Sequence, residues 1–149
     1  MKCAVLLTLV LSQTLFAQGE PTAKPKTVEV KTIVEVTRGY PIKGTAAQIG
    51  AYTQEKLTSL RGRVLRGEAI VESVASSQHK DGTSYQVFAR IDDEKTKSTI
   101  QFEIATDSAK AVSYSKGSST KFEGEITDTS ISGTINPQSR IVVKNAKLK

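Results

Sequence analysis

Residues 63–92 constrain the fold of this chain more than any other stretch. They contain a thirteen-residue run of strand-forming character, VLRGEAIVESVAS, then a polar turn, QHKDGTS, and a returning strand, YQVFARID. The first run is much longer than a usual strand of about five or six residues. Its apolar residues also change parity, since Val71 and Val74 cannot face the same side of one regular strand. We therefore expect this strand to bend, with the backbone curling at Gly67, as a small closed barrel requires.

The first 17 residues predict a secretory signal peptide. Lys2 supplies the positive start, CAVLLTLVLSQTLF supplies the apolar core, and Ala17 precedes the expected cleavage site. The apolar run is shorter than the ~20 residues that span a bilayer, which makes a retained membrane anchor the weaker alternative. Residues 18–26 carry two prolines and no apolar cluster, and we interpret them as a flexible leader. The product is expected to be exported, either to the periplasm or out of the cell.

Removing the signal changes what the composition implies. Subtracting 17 residues from 149 leaves 132, enough for one domain with one hydrophobic core. The net charge falls from +6 to +5, because the signal carries a single charged residue, Lys2. The only cysteine, Cys3, also lies in the signal. The mature chain therefore has no disulfide, no thiol nucleophile and no cysteine metal site, and its stability must come from its apolar core.

Two elements are predicted before the long strand. In residues 27–36, TVEVKTIVEV, valines alternate with Glu29 and Glu35, which predicts a strand or extended arm with a charged side suited to a sheet edge. A turn region follows, up to residue 44. Thr45 is then the expected N-cap of an amphipathic helix that runs to about residue 60. The apolar stripe of this helix consists of Ala46, Ile49, Thr53, Leu57 and Leu60.

Three strands and a short helix are predicted after the hairpin. STIQFEIA, residues 98–105, alternates cleanly, with its isoleucines and phenylalanine on one face. SAKAVSYSK predicts a short helix that is capped by Thr106 or Asp107 and ended by Gly117. TKFEGEITD and RIVVKNAKLK predict the last two strands, with the loop TSISGTINPQS between them.

The order of these elements predicts a mainly β protein. Five strands with one helix between the third and the fourth is the order of an OB-fold barrel. The sequence therefore predicts a five-stranded OB-like barrel with a short helix between strands 3 and 4, preceded by an amphipathic helix and an N-terminal strand or arm. Residues 45–149 form the predicted OB-like domain with its leading helix, and residues 27–44 form the N-terminal strand or arm and turn.

Several segments resemble one family: LRGRVLRGEAIVESV, YQVFARID, TIQFEIA, KGSSTKFEGEITD and RIVVKNAKL are similar to bacterial exported OB-fold domains of the tRNA-anticodon-binding-like type. In that type a helix leads into a pattern kGk-V-x-x-x-G-x-V, and kGd-x-V-x-F-x-G-x-I follows the small helix. The resemblance covers residues 45–149. Its markers are Gly62, Gly67, Gly117, Gly124 and the alternating apolar positions. These markers imply an architecture, and they do not imply tRNA binding.

Basic residues gather near the first and last strands of the predicted barrel. If those strands lie side by side, the residues merge into a positive groove that could track a phosphate backbone. Phe88 and Arg90 have the opposite parity from the apolar positions of the returning strand, so we expect them on the outer face, where OB-folds stack bases. The alternative interpretation is that the charges serve solubility and that Phe88 packs under the N-terminal segment. The candidate ligand-binding residues are Arg61, Arg63, Arg66, Phe88, Arg90, Arg140 and Lys144.

DGTSYQVFARIDDEKTKST is also loosely similar to the thermonuclease type of OB-fold. That similarity implies Asp81, Arg90, Asp92 and Glu94 as calcium ligands, phosphate clamp and base, but the DGTS turn lacks a second aspartate and no proline precedes Glu94. The only histidine, His79, stands in a polar turn, and one histidine cannot build a triad or a histidine metal site. No phosphate-binding loop or dinucleotide glycine pattern occurs. We expect no catalytic residues, no metal and no cofactor.

We therefore expect an exported, non-catalytic OB-fold binding module. Its ligand in the cell envelope would be a protein partner, a polyanion or an oligosaccharide, held on the outer face of strands one to three. The alternative is a nucleic-acid-binding OB domain that acts outside the cytoplasm, and a thermonuclease-like nuclease is a remote third. No integral membrane segment is predicted after the signal.

Overall fold

The computed structural model describes residues 26–39, 43–133 and 137–149. The predicted signal peptide, the leader up to residue 25 and turn residues 40–42 lie outside these ranges. Within them, no helix has both the length and the apolar character that crossing a membrane requires. The elements in chain order are β1 (Thr27–Glu29), α1 (Val30–Thr37), α2 (Ala46–Thr58), β2 (Val64–His79), β3 (Gly82–Asp93), β4 (Ser98–Thr106), a 3-10 helix (Ala109–Ser113), β5 (Ser119–Ser132) and β6 (Gln138–Leu148).

Strands β2 to β6 close into a five-stranded barrel, which confirms the predicted fold class. Neighbouring strands pair in the order β2–β3–β4–β6–β5, and β5 returns to pair with the first half of β2. Within the barrel only β4 and β6 run parallel. The 3-10 helix lies between the third and fourth barrel strands. This connectivity is that of the OB-fold.

The barrel encloses one apolar core. Alternate residues of every barrel strand point inward, as the pattern of STIQFEIA predicts for β4. The rings of Phe102 and Phe122 meet near the centre, with centroids 5.6 Å apart and planes tilted by 55°, a favourable aromatic geometry. The largest completely buried side chains are Phe102, Phe122, Ile33, Leu57, Leu65, Ile100, Ile104, Ile126, Ile141, Val71, Val87 and Val143. Two of these, Ile33 and Leu57, come from the helices, so the helices complete the core.

β2 is long because it belongs to both halves of the barrel. Its first half, Val64 to Ile70, pairs with β5, and its second half, from Ile70 to His79, pairs with β3. The register shifts between Val71 and Ser73, which is where the inward face changes parity. The predicted bulge therefore exists, but its predicted position at Gly67 was wrong. It lies just beyond the point where the strand leaves one partner for the other.

Gly67 is needed for a different reason. A Cβ atom at this position would collide with the side chain of Val30, at the start of α1. Val30 is only 7% exposed and belongs to the core. Because Gly67 has no side chain, the start of α1 can pack closely against β2.

The prediction of a strand over residues 27–36 was wrong beyond residue 29. β1 is a three-residue strand parallel to the start of β2, and α1 follows it directly. The valines fit a period of two, but Val30, Ile33 and Thr37 also recur at helical spacing, and all three are buried. Burial against β2 and α2 decides between the two periods, because tertiary packing overrides the strand propensity of valine.

Thr45 caps α2 as predicted. Its hydroxyl accepts a hydrogen bond from the Gln48 backbone N–H, while the Gln48 side chain accepts one from the Thr45 backbone N–H, which completes a capping box. Of the predicted stripe, Thr53, Leu57 and Leu60 are buried, whereas Ala46 is exposed. The helix packs against β5.

The predicted helix over residues 108–116 is shorter than expected. Only Ala109–Ser113 is helical, as a 3-10 turn, and Ala111 is its buried residue. The prediction of Thr106 or Asp107 as its cap was wrong, because the N-cap is Ser108, whose side chain makes no capping hydrogen bond. Thr106, the last residue of β4, instead accepts a hydrogen bond of 3.1 Å from the Ser108 backbone N–H. Gly117 has φ of 87°, but it lies in the loop after the helix rather than at its last turn.

An ion pair fastens α1 to the barrel. Arg38, just after α1, donates two hydrogen bonds to the carboxylate of Asp93 at the end of β3, of 2.9 and 2.8 Å. The Thr96 hydroxyl donates a third, of 2.7 Å. The pKa of Asp93 is held well below its usual range, mainly by the hydrogen bonds from Arg38 and, to a lesser extent, by the one from Thr96. Asp93 is 6% exposed, so its carboxylate is a buried charge that depends on these partners.

Candidate ligand-binding face

The outward side chains of the central barrel strands form a continuous surface, which we call the β3–β4 face. The face consists of Ile70 and Ser73 on β2, Gln86, Phe88 and Arg90 on β3, Gln101 and Glu103 on β4, and Arg140 on β6. Its members are fixed by register, because residues paired across a ladder point to the same side of a sheet. Arg90 lies between Ile70 and Gln101, and Phe88 lies between Ser73 and Glu103.

Phe88 is at the centre of this face. Its neighbours Val87 and Ala89 are buried in the barrel, while Phe88 itself points outward and is half-buried. The predicted outward orientation of Phe88 and Arg90 is therefore confirmed. The residue opposite the ring on β2 is the small Ser73, and the diagonal neighbour is Ile70, which is 45% exposed. Ile70, Phe88 and Arg90 are thus neighbours on the outer face and provide one exposed aliphatic, one half-buried aromatic and one exposed guanidinium side chain.

Both arginines of the face are engaged by carboxylates. Arg90 lies 3.1 Å from Glu72 and 3.1 Å from Asp92. Arg140 makes a two-pronged contact with Glu103, in which its Nη2 donates to Oε2 at 2.6 Å. That hydrogen-bonded contact raises the pKa of Arg140 above its usual value.

The charges on and beside the face nearly cancel. Arg90 and Arg140 provide two cations, and Glu72, Asp92 and Glu103 provide three carboxylates. A phosphate backbone would have to displace these carboxylates to reach the guanidinium groups, and it would meet three negative charges in doing so. A surface of this kind is suited to a ligand of mixed or zero charge that stacks on Phe88 and exchanges hydrogen bonds with the polar groups around it.

The single positive groove expected from the sequence does not form. It required the first and last barrel strands to lie side by side, but β5 lies between β2 and β6. In register, Glu123 of β5 stands between Arg66 and Lys147. Glu125 likewise faces Lys144. The outer surface of these strands therefore alternates in charge.

The candidate basic residues are divided between separate places. Arg61 and Arg140 approach each other at Asp128, which lies 2.6 Å from Arg61 and 4.0 Å from Arg140. Arg66 lies 3.3 Å from Glu29 of β1. Within the described part of the chain, Arg63 and Lys144 form no ion pair. Among the candidate site residues, only Phe88, Arg90 and Arg140 therefore share the β3–β4 face.

The residues implied by the thermonuclease resemblance do not converge. Asp81 lies in the turn before β3, and Glu94 follows the far end of that strand. Twelve residues of strand separate them, roughly 40 Å at ~3.3 Å per residue. Between them, Arg90 is held by Glu72 and Asp92. In the described ranges no group of three or more histidine, cysteine, aspartate or glutamate side chains is arranged to hold a metal ion.

Sequence reasoning missed five members of the face. Gln86, Gln101 and Glu103 surround Phe88 and Arg90, and the Gln86 amide donates to Glu103 at 3.4 Å. The alternation of β3 and β4 places all three outside, so the signal was present in the sequence. Ile70 and Ser73 could not be assigned, because their side of β2 depends on where the bulge falls.

No protein-family model and no curated protein matches this chain. Among solved structures, the chain is similar to a Klebsiella pneumoniae lipoprotein whose assignment as nucleic acid-binding is provisional, at 14% identity, over 84% of this chain and 92% of that one, with a TM-score of 0.46. A small single-stranded DNA-binding protein from Streptomyces coelicolor matches at 12% identity, over 58% and 91%, with a TM-score of 0.40. The SSB domain of a Synechococcus protein matches at 12% identity, over 56% and 89%, with a TM-score of 0.33. Likeness at this level carries no argument about a ligand, which must come from the face itself.

Proposed function

We propose that this protein is an exported, non-catalytic OB-fold binding module whose ligand is a protein partner in the cell envelope, held on the β3–β4 face. The observation that carries the proposal is the outward-facing group of Ile70, Phe88 and Arg90, in which Ile70 and Arg90 are exposed and Phe88 is half-buried. Aromatic and arginine side chains are enriched where proteins bind one another, and a few such anchors supply most of the affinity. OB-folds in general bind their ligands on the face to which Phe88 belongs.

The balanced charge of the face supports a protein ligand over a polyanion. Each guanidinium already has carboxylate partners, so steering and affinity cannot come from a surplus of positive charge. An oligosaccharide would also suit a neutral face with an aromatic ring. A carbohydrate-binding assay tests this form of the proposal. The proposal also includes export and membership of the tRNA-anticodon-binding-like type.

One observation favours a second candidate function, binding of single-stranded nucleic acid. Phe88 and Arg90 are outward neighbours on one strand, and an aromatic platform beside a guanidinium is how such proteins stack bases. Other observations weigh against it. The face carries one aromatic ring, and the three carboxylates on and beside it outnumber its two arginines.

Replacing Phe88 by alanine should weaken partner binding strongly without unfolding the barrel. A photo-crosslinking residue at Ser73, beside the ring, should yield one dominant protein adduct in the native envelope, and Phe88→Ala should reduce it at least about tenfold because an interface anchor is lost. The matched control places the same crosslinker at Lys121, an exposed position on β5. The measurement is the adduct yield, with the thermal midpoint of the purified variant checked alongside.

Two results would contradict the protein-partner proposal. One is an adduct from Ser73 that Phe88→Ala leaves unchanged. The other is tight binding of a single-stranded oligonucleotide that falls by orders of magnitude between about 50 and 200 mM salt. The second result would establish nucleic-acid binding instead. Weak binding that does not respond to salt would remove that candidate.

Export predicts a processed N-terminus. If residues 1–17 are cleaved, the protein recovered from the envelope fraction should begin at Gln18 and should be cysteine-free. Intact-mass measurement of the full gene product, with a variant carrying Ala17→Leu as the control, tests this. The variant should retain its leader, because the cleavage site requires a small residue. An unprocessed wild-type chain in the cytosolic fraction would contradict export.

A further inference from the structure

Within the described part of the chain, the second half of β2 has a free edge. Its β5 side is paired only as far as Val71, whose backbone exchanges hydrogen bonds of 2.8 Å with Ser118 and Gly117. Beyond the bulge, Ser73 to His79 pair with β3 on one side, and no strand of the described chain pairs with the other. These seven residues span about 23 Å at ~3.3 Å per residue.

This edge lacks the usual protection. Proteins guard exposed strand edges with lysine, proline or inward charges. The segment SVASSQH contains none of these, its side chains are mostly small, and Ala75 to His79 are exposed. By contrast, α1 packs over the first half of β2 at Gly67. The bulge at Glu72 twists the strand only at the start of this edge, before Ser73.

The ladder shows which backbone groups are available. The hairpin closes with His79 paired to Gly82 across a two-residue turn, so these two residues exchange hydrogen bonds. Pairs alternate along an antiparallel ladder. The N–H and C=O groups of Ser76 and Gln78 therefore point away from β3, toward the free edge.

The end of this edge next to β5 carries an exposed lysine. A strand added antiparallel to β2 would run in line with β5 and would end where Gly117 and Ser118 meet Val71. Lys116 is exposed there, and no carboxylate pairs with it in the described chain. Of the acids of β2 near this end, Glu72 is held by Arg90, and Glu68 accepts a hydrogen bond from Ser119 and lies 3.9 Å from Lys121. At the other end, Lys80 and Asp81 offset each other.

We propose that the partner inserts an extended segment, with an acidic C-terminal end, as an additional antiparallel strand on the free edge of β2. The inference rests on the proposed function and names the form of its ligand. Strand addition supplies affinity through backbone hydrogen bonds, and flanking side chains supply specificity. The added strand lies beside Ser73 and so reaches the edge of the β3–β4 face, where Ile70 and Phe88 provide its apolar anchors.

The test uses the full mature chain and a synthetic fluorescent peptide. Its core has about six alternating threonine and valine residues, the length of a typical strand, and it ends in two aspartates. Ser76→Pro removes one free-edge N–H and no ladder bond, so the barrel should keep its thermal midpoint. Peptide affinity measured by fluorescence anisotropy should fall at least about tenfold, and the matched control Ser76→Thr should bind like the wild type.

Two further comparisons identify the mode of binding. A peptide N-methylated at alternate core positions keeps its side chains but loses the hydrogen bonds of one edge, and it should not bind. Lys116→Glu should lower the affinity for the peptide that ends in two aspartates and raise the affinity for a peptide that ends in two lysines, because the charge at this end of the edge is reversed. The inference is overturned if the wild type shows no saturable binding, or if Ser76→Pro or N-methylation has no effect.

Sedimentation separates the remaining possibilities. A wild-type dimer that Ser76→Pro converts to a monomer would show that a second copy occupies the edge, which would overturn the assignment to a partner. If the peptide does not bind while the adduct at Ser73 still depends on Phe88, strand addition is wrong, but the proposed binding function is still supported. If the peptide does not bind and the adduct at Ser73 does not depend on Phe88, the proposed function is wrong as well.

Discussion

Gly124→Ala should destabilise the barrel by about 3 kcal/mol or more, at the upper end of what overpacking costs. A Cβ atom at Gly124 would lie 2.6 Å from Val143 Cγ1, 2.8 Å from the Lys144 carbonyl oxygen and 2.9 Å from Ala146 Cα. Two of these three atoms belong to the backbone of β6, which cannot move without breaking its pairing with β5. The free energy of unfolding from denaturant titration measures the effect.

The geometry around Gly124 explains why the contact is so close. β6 bulges there, since Glu123 pairs with Lys147 and Glu125 with Lys144, which leaves two residues of β6 opposite one of β5. Asn145, within the bulge, has φ of 53°, a left-handed conformation that asparagine tolerates. Gly124 is also paired with β2 on its other side, so the strand has no direction in which to retreat.

Gly50→Ala is the matched control. A Cβ atom at Gly50, inside α2, meets nothing within 4 Å and requires no unusual backbone angle. The substitution should stabilise the protein by about 0.5–1 kcal/mol, because alanine favours the helix. If Gly124→Ala were as stable as the wild type, the close packing of β5 against the β6 bulge would be wrong.

Asp93→Asn should lower stability by about 2 kcal/mol near neutral pH, because it replaces a buried, triply hydrogen-bonded carboxylate with a neutral group. Arg38 would then lose the ionic partner that fastens α1 to β3, while Thr96 would lose a strong acceptor. The thermal midpoint should fall by roughly 6–10 °C for a domain of this size. Because the contact attaches α1, hydrogen exchange of α1 should rise more than that of the barrel strands.

The cost of this substitution should depend on pH. The folded-state pKa of Asp93 is depressed, so the carboxylate contributes stability that is fully present above its unfolded pKa of about 3.9 and is lost as pH falls toward the folded value. The difference in midpoint between wild type and Asp93→Asn should therefore be largest near pH 6 and shrink below about pH 4.

Asp92→Asn is the control for this prediction. Asp92 is the neighbouring residue and also pairs with an arginine, but its side chain is 53% exposed. Exposed pairs contribute little, so a change within about 0.5 kcal/mol is expected. A difference between wild type and Asp93→Asn that stays constant down to pH 2.5 or so would show that the pair is not what stabilises α1.

Much of the fold could be predicted because it depends on local patterns. Strict alternation in STIQFEIA and YQVFARID assigned the inner and outer faces of β3 and β4, and Phe88 and Arg90 lie outside as expected. Thr45 was recognisable as a cap because a capping box uses residues three apart in sequence. The order of strands and helix then sufficed for the barrel.

The errors share a different cause. Residues 30–37 carry both a strand and a helix periodicity, and only burial of Ile33 and Val30 against the barrel selects the helix. The bend in β2 depends on where the strand exchanges β5 for β3 as its partner. β5 begins nearly fifty residues after that point in the chain. The expected positive groove failed because β5, with Glu123 and Glu125, lies between the two basic strands.

The sequence by itself determined which residues of β3 and β4 face the core, where α2 begins and in what order the barrel strands follow, because periodicity, caps and turns act between residues close in the chain. Only the tertiary structure decided which charges neutralise one another, which glycine admits a helix and which strand edge stays open. Those outcomes depend on which strands become neighbours, and the pairing of distant segments is set by the closure of the whole barrel rather than by any local pattern.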